Sequence, residues 1–127
     1  MPAPRLTAIR LKKRADFLRA QKFVRKVVGG LTLEICPTPA DAAQMDCYRV
    51  GFTASRKVGN AVARNRARRR LKAAAAAVLP ISARECTDYV LIARAGALTR
   101  PFARLVEDLA AALETAHLRL EVKGEER

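Results

Sequence analysis

RVGFTASRKVGNAVARNRARRRLK, residues 49–72, changes its period half-way along. The first part continues an alternation that starts at Cys47. Tyr48, Val50, Phe52 and Ala54 fall on one side of an extended chain, so residues 47–55 read as a strand, with Gly51 a place for a bulge. From Ala61 onward the apolar positions are Ala63, Ala67, Leu71, Ala74 and Val78, one stripe when the chain is wound at about 100° per residue. Asn65, Arg66, Arg68, Arg69 and Lys72 lie opposite that stripe. Arg64 and Arg70 flank it, where their stems can cover apolar surface while the charge stays in water. Asn60, following Gly59, is placed to cap the helix.

Between Arg56 and Lys72 there are eight Lys or Arg residues and no Asp or Glu. Surface helices stabilised by ion pairs interleave both signs, and this one does not. Its cations also gather at the helix N-terminus, the end where the macrodipole disfavours them. Burying such a face against protein would incur desolvation and like-charge repulsion, so it must meet water or a polyanion.

Ser55-Arg56-Lys57, Gly59-Asn60-Ala61-Val62, Arg64-Asn65-Arg66 and Arg68-Arg69 together resemble the signature of the bacterial ribonuclease P protein component, and weaker similarity runs through nearly the whole chain. Ala67 departs from it, since the family usually has Ile, Leu or Val after the Arg-Asn-Arg triplet. The helix is therefore expected to pack either closer to its sheet than is usual or less tightly. The resemblance implies an α+β single domain in the order α-β-β-β-α-β-α, with a mixed sheet, helices packed on it, a left-handed β-α-β crossover and a ribosomal-protein-like fold. Sequence rules alone favour a right-handed crossover.

The totals agree with a phosphate-rich partner. The chain has 127 residues, with 25 Lys and Arg against 12 Asp and Glu, a net charge of +13 and a pI near 10.8. That length suits one domain with a small core. The longest alanine-rich run, residues 73–79, is too short to span a bilayer, and the basic N-terminus lacks the apolar stretch of a secretory signal, so a cytoplasmic location is expected. Cys36, Cys47 and Cys86 are scattered without a C-x-x-C pair and read as ordinary thiols. His117, the only histidine, sits in a predicted helix and reads as a boundary residue rather than a ligand or general base.

Outward from the central stretch, residues 1–13 read as a basic N-terminal arm, 14–120 as the domain and 121–127 as a flexible tail. Phe17, Ala20, Val24 and Val27 or Val28 have helical spacing, and Gly29-Gly30 reads as the end of a helix over residues 14–28. Leu31, Leu33 and Ile35 alternate with Thr32 and Glu34 as in a half-buried strand. Residues 37–46 form a loop, 80–88 a connector and 89–93 a strand. Thr99 is placed to cap a closing helix over residues 101–120, whose apolar stripe is Phe102, Leu105, Val106, Leu109, Ala112, Leu113, Ala116 and Leu120.

Self-sufficient phosphodiester cleavage needs clustered carboxylates or a His or Lys acid/base set. The acidic residues lie mainly in the residue 41–46 loop, the closing helix and the tail, so no catalytic residue and no protein-bound metal are expected. The resemblance implies that the partner RNA, with its own Mg²⁺, removes the 5′ leader from precursor tRNA in the endonuclease ribonuclease P. The chain would bind that RNA through Arg56, Lys57, Asn60, Arg64, Asn65, Arg66, Arg68, Arg69 and Lys72. It would hold the single-stranded leader in a groove between the first helix and the sheet, with no membrane and no obligate protein partner.

Leader binding calls for stacking surface beside positive charge. Phe17 is the first candidate, with Phe23 and Tyr48 as compensating aromatics, because Gln21 and Glu34 fall where family members often carry aromatics. A lone Phe on a helix is also commonly core. A general rRNA-binding protein remains an alternative reading. A helix-turn-helix DNA binder is disfavoured, because no second helix joins the basic one through a short turn.

Overall fold

The computed structural model describes residues 5–125. Five strands form one mixed sheet in the order β1-β4-β5-β3-β2. In chain order the elements are β1 (Thr7–Arg10), α1 (Arg14–Gln21), β2 (Val24–Val28), β3 (Leu31–Pro37), β4 (Cys47–Ala54), a 3₁₀ turn (Arg56–Val58), α2 (Ala61–Ser82), β5 (Thr87–Ala93), a second 3₁₀ turn (Ala95–Leu98) and α3 (Phe102–Glu125). The expected α-β-β-β-α-β-α order is present, with β1 added in front. β4 and β5 are adjacent and parallel, joined through α2, while β3 pairs antiparallel with β5 and with β2.

Alternation along the central strands explains the two faces. Leu31, Leu33 and Ile35 of β3, with Tyr89, Leu91 and Ala93 of β5, join a core with Leu71, Leu79, Leu105, Leu109 and Leu113 of α2 and α3. The opposite residues Cys36 and Val90 pack with Leu11 and Ala20 beneath α1, where Phe17, Phe23 and Ile92 are partly covered. β3 is therefore buried on both faces rather than half-buried, Thr32 and Glu34 included.

The segment 14–28 is not one helix. α1 stops at Gln21, and Val24 to Val28 pair antiparallel with β3. Three valines in five residues favour a pleated strand, and Gly29-Gly30 is the turn of a β-hairpin. Val24 and Val28, four residues apart, fit a period of 3.6 as well as 2, so periodicity alone does not separate helix from strand here.

The expected arm contains β1, which pairs parallel with Cys47–Val50 of β4, and α3 carries the expected tail as far as Glu125. The remainder of each, residues 1–4 and 126–127, lies outside the described residues. α2 also runs past Pro80 to Ser82. A proline in the last turn forgoes one intrahelical bond, to the carbonyl of Ala76, a residue that faces water. At α3 the Pro101 carbonyl accepts from the amide of Leu105, which puts Pro101 in the cap position, while Thr99 ends the preceding 3₁₀ turn. Phe102 is 45% exposed and stands outside the apolar stripe.

His117 is not a boundary residue but part of the core. It is 7% exposed, and the Tyr89 hydroxyl lies 2.6 Å from its Nε2. That hydroxyl accepts from the Arg84 amide at 2.8 Å, so its proton is free to go to a neutral imidazole. Burial, reinforced by Arg84 and partly opposed by Glu121, pushes His117 down to about 4, and burial pushes Tyr89 up to about 12. As pH falls below about 6.5 the unfolded chain takes up the His117 proton first. Stability from this site is thus complete above that pH and lost toward pH 4. Urea melts are expected to lose about 3 kcal/mol across that window, and His117→Phe to remove this part of the slope.

Candidate nucleic-acid interface

The cationic surface is built where β4 ends. Ser55 turns the chain, its Oγ accepting from the Lys57 amide at 3.2 Å. Gly59 then adopts φ +139°, a conformation L side chains rarely take. This releases Asn60, whose Oδ1 accepts from the Ala63 amide at 2.9 Å and caps α2 as its sequence predicts.

Ala67, Leu71, Ala74 and Val78 are buried and Ala63 partly so, which seats the predicted stripe on the sheet. Ala67 is wholly buried. Arg56, Lys57, Asn60, Asn65, Arg66, Arg69 and Lys72 are exposed, whereas Arg64, Arg68 and Arg70 are half-buried. Arg68 donates to Asn65 Oδ1. Arg70 is committed to the fold, donating to the carbonyls of Leu98 and Arg100 ahead of α3. Val62, 68% exposed, lies in a shallow depression with Asn65, Arg66 and Arg69. Its spacing of four from Arg66 is the signal that could have placed it there.

An open groove of about 590 Å³ lies between α1 and the sheet, and Phe17, Phe52, Val90 and Ile92 give it an apolar lining. Lys12, Arg14 and Arg25 supply positive charge, and Gln21, Glu34 and Thr53 complete the polar part. Phe17 is half-buried and rides directly over Gly51, where a Cβ would come within 2.5 Å of its ring. The paired register through residue 51 is continuous, so Gly51 makes room for an aromatic ring rather than a bulge.

The other two aromatic candidates lie elsewhere. Tyr48, 3% exposed, meets Tyr89 edge-to-face at 5.9 Å on the α2 side. The strand alternation that placed it with Val50 is correct, but that face is core. Phe23 lines a second depression with Val24, Leu118 and Val122, under the ammonium of Lys123 at 4.7 Å. Phe52 escapes a reading by alternation because it shares Tyr48's parity. β1 covers β4 only to Val50, so Phe52 stands at a bare edge, with the Arg10 guanidinium 5.1 Å from its ring centre.

A buried ion cluster fixes α1 over this groove. Arg49 donates to both oxygens of Asp88, at 2.7 and 2.6 Å, and to Asp16 at 3.1 Å. Arg19 reaches Asp16 at 3.0 Å and Asp88 at 3.6 Å, and the Thr38 hydroxyl donates to Asp88 at 2.7 Å. Burial pushes the Asp16 carboxyl up, but Arg19 and Arg49 outweigh it and hold it below the usual range. Asp16 immediately precedes Phe17, so the cluster sets where that ring lies.

The fold agrees with comparisons to known proteins. The ribonuclease P family model matches residues 7–117. The chain belongs to the ribonuclease P protein family. It is 53% identical over 106 residues to the ribonuclease P protein component of Paramagnetospirillum magneticum, covering 83% of this chain and 80% of the relative. The corresponding protein of Ruegeria pomeroyi is 48% identical over 108 residues, covering 84% and 85%. The Staphylococcus aureus RNase P protein superposes with a TM-score of 0.67 at 27% identity, covering 87% of this chain and 96% of that one. The Thermotoga maritima RNase P protein shares the fold, with a TM-score of 0.67 at 20% identity, over 84% and 96%.

Membership assigns this chain to ribonuclease P, to tRNA processing, to RNA binding and to association with the ribonuclease P RNA. Among the described residues no helix is long and apolar enough to cross a membrane.

Proposed function

We propose that this chain is the subunit that grips the catalytic RNA through the α2 face and the single-stranded 5′ leader of precursor tRNA through the α1 groove, leaving cleavage to the RNA. The observation that carries the reading is the surface from Arg56 to Lys72, where exposed Lys and Arg stand with no acidic residue among them on a helix seated by a buried alanine stripe. Arginine suits it, because a planar guanidinium can bind two phosphate oxygens at once.

His117, Asp16 and Asp88 are placed for structure. His117 is neutral in the core, and Asp16 and Asp88 are held by Arg49 on the α1 side. The Mg²⁺ ions of the reaction would be held by the RNA, and the protein, one domain acting in the cytoplasm without an obligate protein partner, would lower the Mg²⁺ concentration needed by neutralising phosphates.

Reconstitution tests this. The purified protein with its RNA subunit is expected to restore precursor-tRNA cleavage at low Mg²⁺, and the protein alone to leave the substrate intact. Cleavage by the protein alone, or no stimulation with co-sedimentation on ribosomes instead, would sink the proposal.

Arg66→Ala with Arg69→Ala separates RNA binding from folding. Both side chains are exposed, so stability should change by no more than about 0.5 kcal/mol per site. Affinity for the RNA subunit should fall, and the slope of log K against log salt should lessen by roughly 0.7 to 0.9 for each phosphate no longer neutralised. Filter binding across a salt series gives both numbers.

A further inference from the structure

The α1 groove holds one group at odds with its neighbours. Around cationic Lys12, Arg14 and Arg25 and apolar Phe17 and Ile92, Glu34 places a carboxylate in the lining. Its side chain is 5% exposed, and its one ion pair among the described residues is with Arg25 Nε at 3.9 Å, beyond hydrogen-bond distance. Arg25 is its cross-strand neighbour and is itself 59% exposed, a loose partner on the solvent side. Burial raises the Glu34 carboxyl above its usual range, and Arg25 opposes that only in part.

An ionised carboxylate accepts hydrogen bonds and cannot donate them. It repels phosphate, so from an RNA strand it gains most from N–H groups on a base edge. In an unpaired strand the Watson–Crick edge is available for such pairing. Guanine alone presents two parallel donors there, N1–H and the 2-amino group, matched to the two oxygens of a carboxylate. Adenine and cytosine set one amino group beside a ring nitrogen that accepts, and uracil sets one N–H between two carbonyls. These acceptors oppose the second carboxylate oxygen. Two donors from guanine would also replace the solvation that burial removes from Glu34.

We propose that Glu34 is a specificity-determining residue that selects guanosine at the leader nucleotide seated in this groove, with Phe17 as its stacking surface and Lys12, Arg14 and Arg25 neutralising the adjoining phosphates. The inference rests on the leader-binding reading of the groove.

The test uses the reconstituted holoenzyme and precursor tRNAs whose leader bases are varied one position at a time. Wild type is expected to bind guanosine at one position roughly five- to a hundredfold more tightly than the other three bases. Inosine, which lacks the 2-amino group, should lose most of that gain. Glu34→Gln keeps the size but replaces one acceptor with a donor, and should abolish the preference. Arg25→Gln removes the ion-pair partner and should weaken all four leaders alike while keeping guanosine first.

If Glu34 serves only to pair Arg25, both variants will shift the four leaders equally and the base preference will not move, which overturns the proposal. A wild-type enzyme indifferent to leader base overturns it as well. Equal affinity for precursor and mature tRNA would instead remove the leader reading itself, and the proposal with it.

Discussion

Asp88→Ala is expected to lower the free energy of unfolding by about 3 to 5 kcal/mol, the usual cost of removing one partner from a buried ion pair. Asp88 is wholly buried and accepts two bonds from Arg49 and one from the Thr38 hydroxyl. Without it Arg49, whose side chain is 13% exposed, keeps only Asp16. A domain's stability is about 5 to 15 kcal/mol in total, so the variant should lie close to unfolding, and urea melts will show it as a lowered midpoint. Replacing both partners, Arg49→Met with Asp88→Leu, should recover part of the loss, because no buried charge is then stranded there and Asp16 still has Arg19. If Asp88→Ala melts like wild type, the Asp88 pairs add nothing to stability and Asp16 suffices as the partner of Arg49.

Leu71→Ala is expected to cost roughly 2 to 5 kcal/mol, toward the upper end. Leu71 is completely buried and is flanked along its stripe by Ala67 and Ala74, both also at 0% exposure. Alanines cannot swing into the vacated space, so the cavity should stay open, and residual cavity volume sets the cost. RNA affinity measured well below the melting temperature should change little, since the cationic face is on the other side. A stability loss under about 1 kcal/mol would mean that the helix slides down onto the sheet and closes the gap.

How far the sequence can be read depends on whether one period or two fit a segment. Over α2 the apolar stripe, the opposed cations and the Asn60 cap all point one way, and all three are in the structure. Val24 and Val28 of β2 satisfy two periods, so the hairpin turn at Gly29-Gly30 reads equally as a helix end. β1, only four residues long, is too short to show any alternation.

For the groove, the position of Phe17 is legible in the sequence, but what surrounds it is not. Parity along β4 puts Tyr48 and Phe52 together, and only the short reach of β1 over β4 separates a core ring from an edge ring. The Arg49 cluster joins residues far apart in the chain, Asp16, Thr38 and Asp88, and no local pattern announces such a meeting.

The Leu6 amide donates to the carbonyl of Pro80 at 2.9 Å, which fixes the start of the described chain beside the far end of the long basic helix. At about 1.5 Å of rise per residue, that point lies some 30 Å along the axis from Asn60. A dye or surface tether attached at Arg5 would therefore sit remote from the arginine cluster. Labelled protein prepared that way should report docking of the ribonuclease P RNA by anisotropy or at a sensor chip without obstructing it.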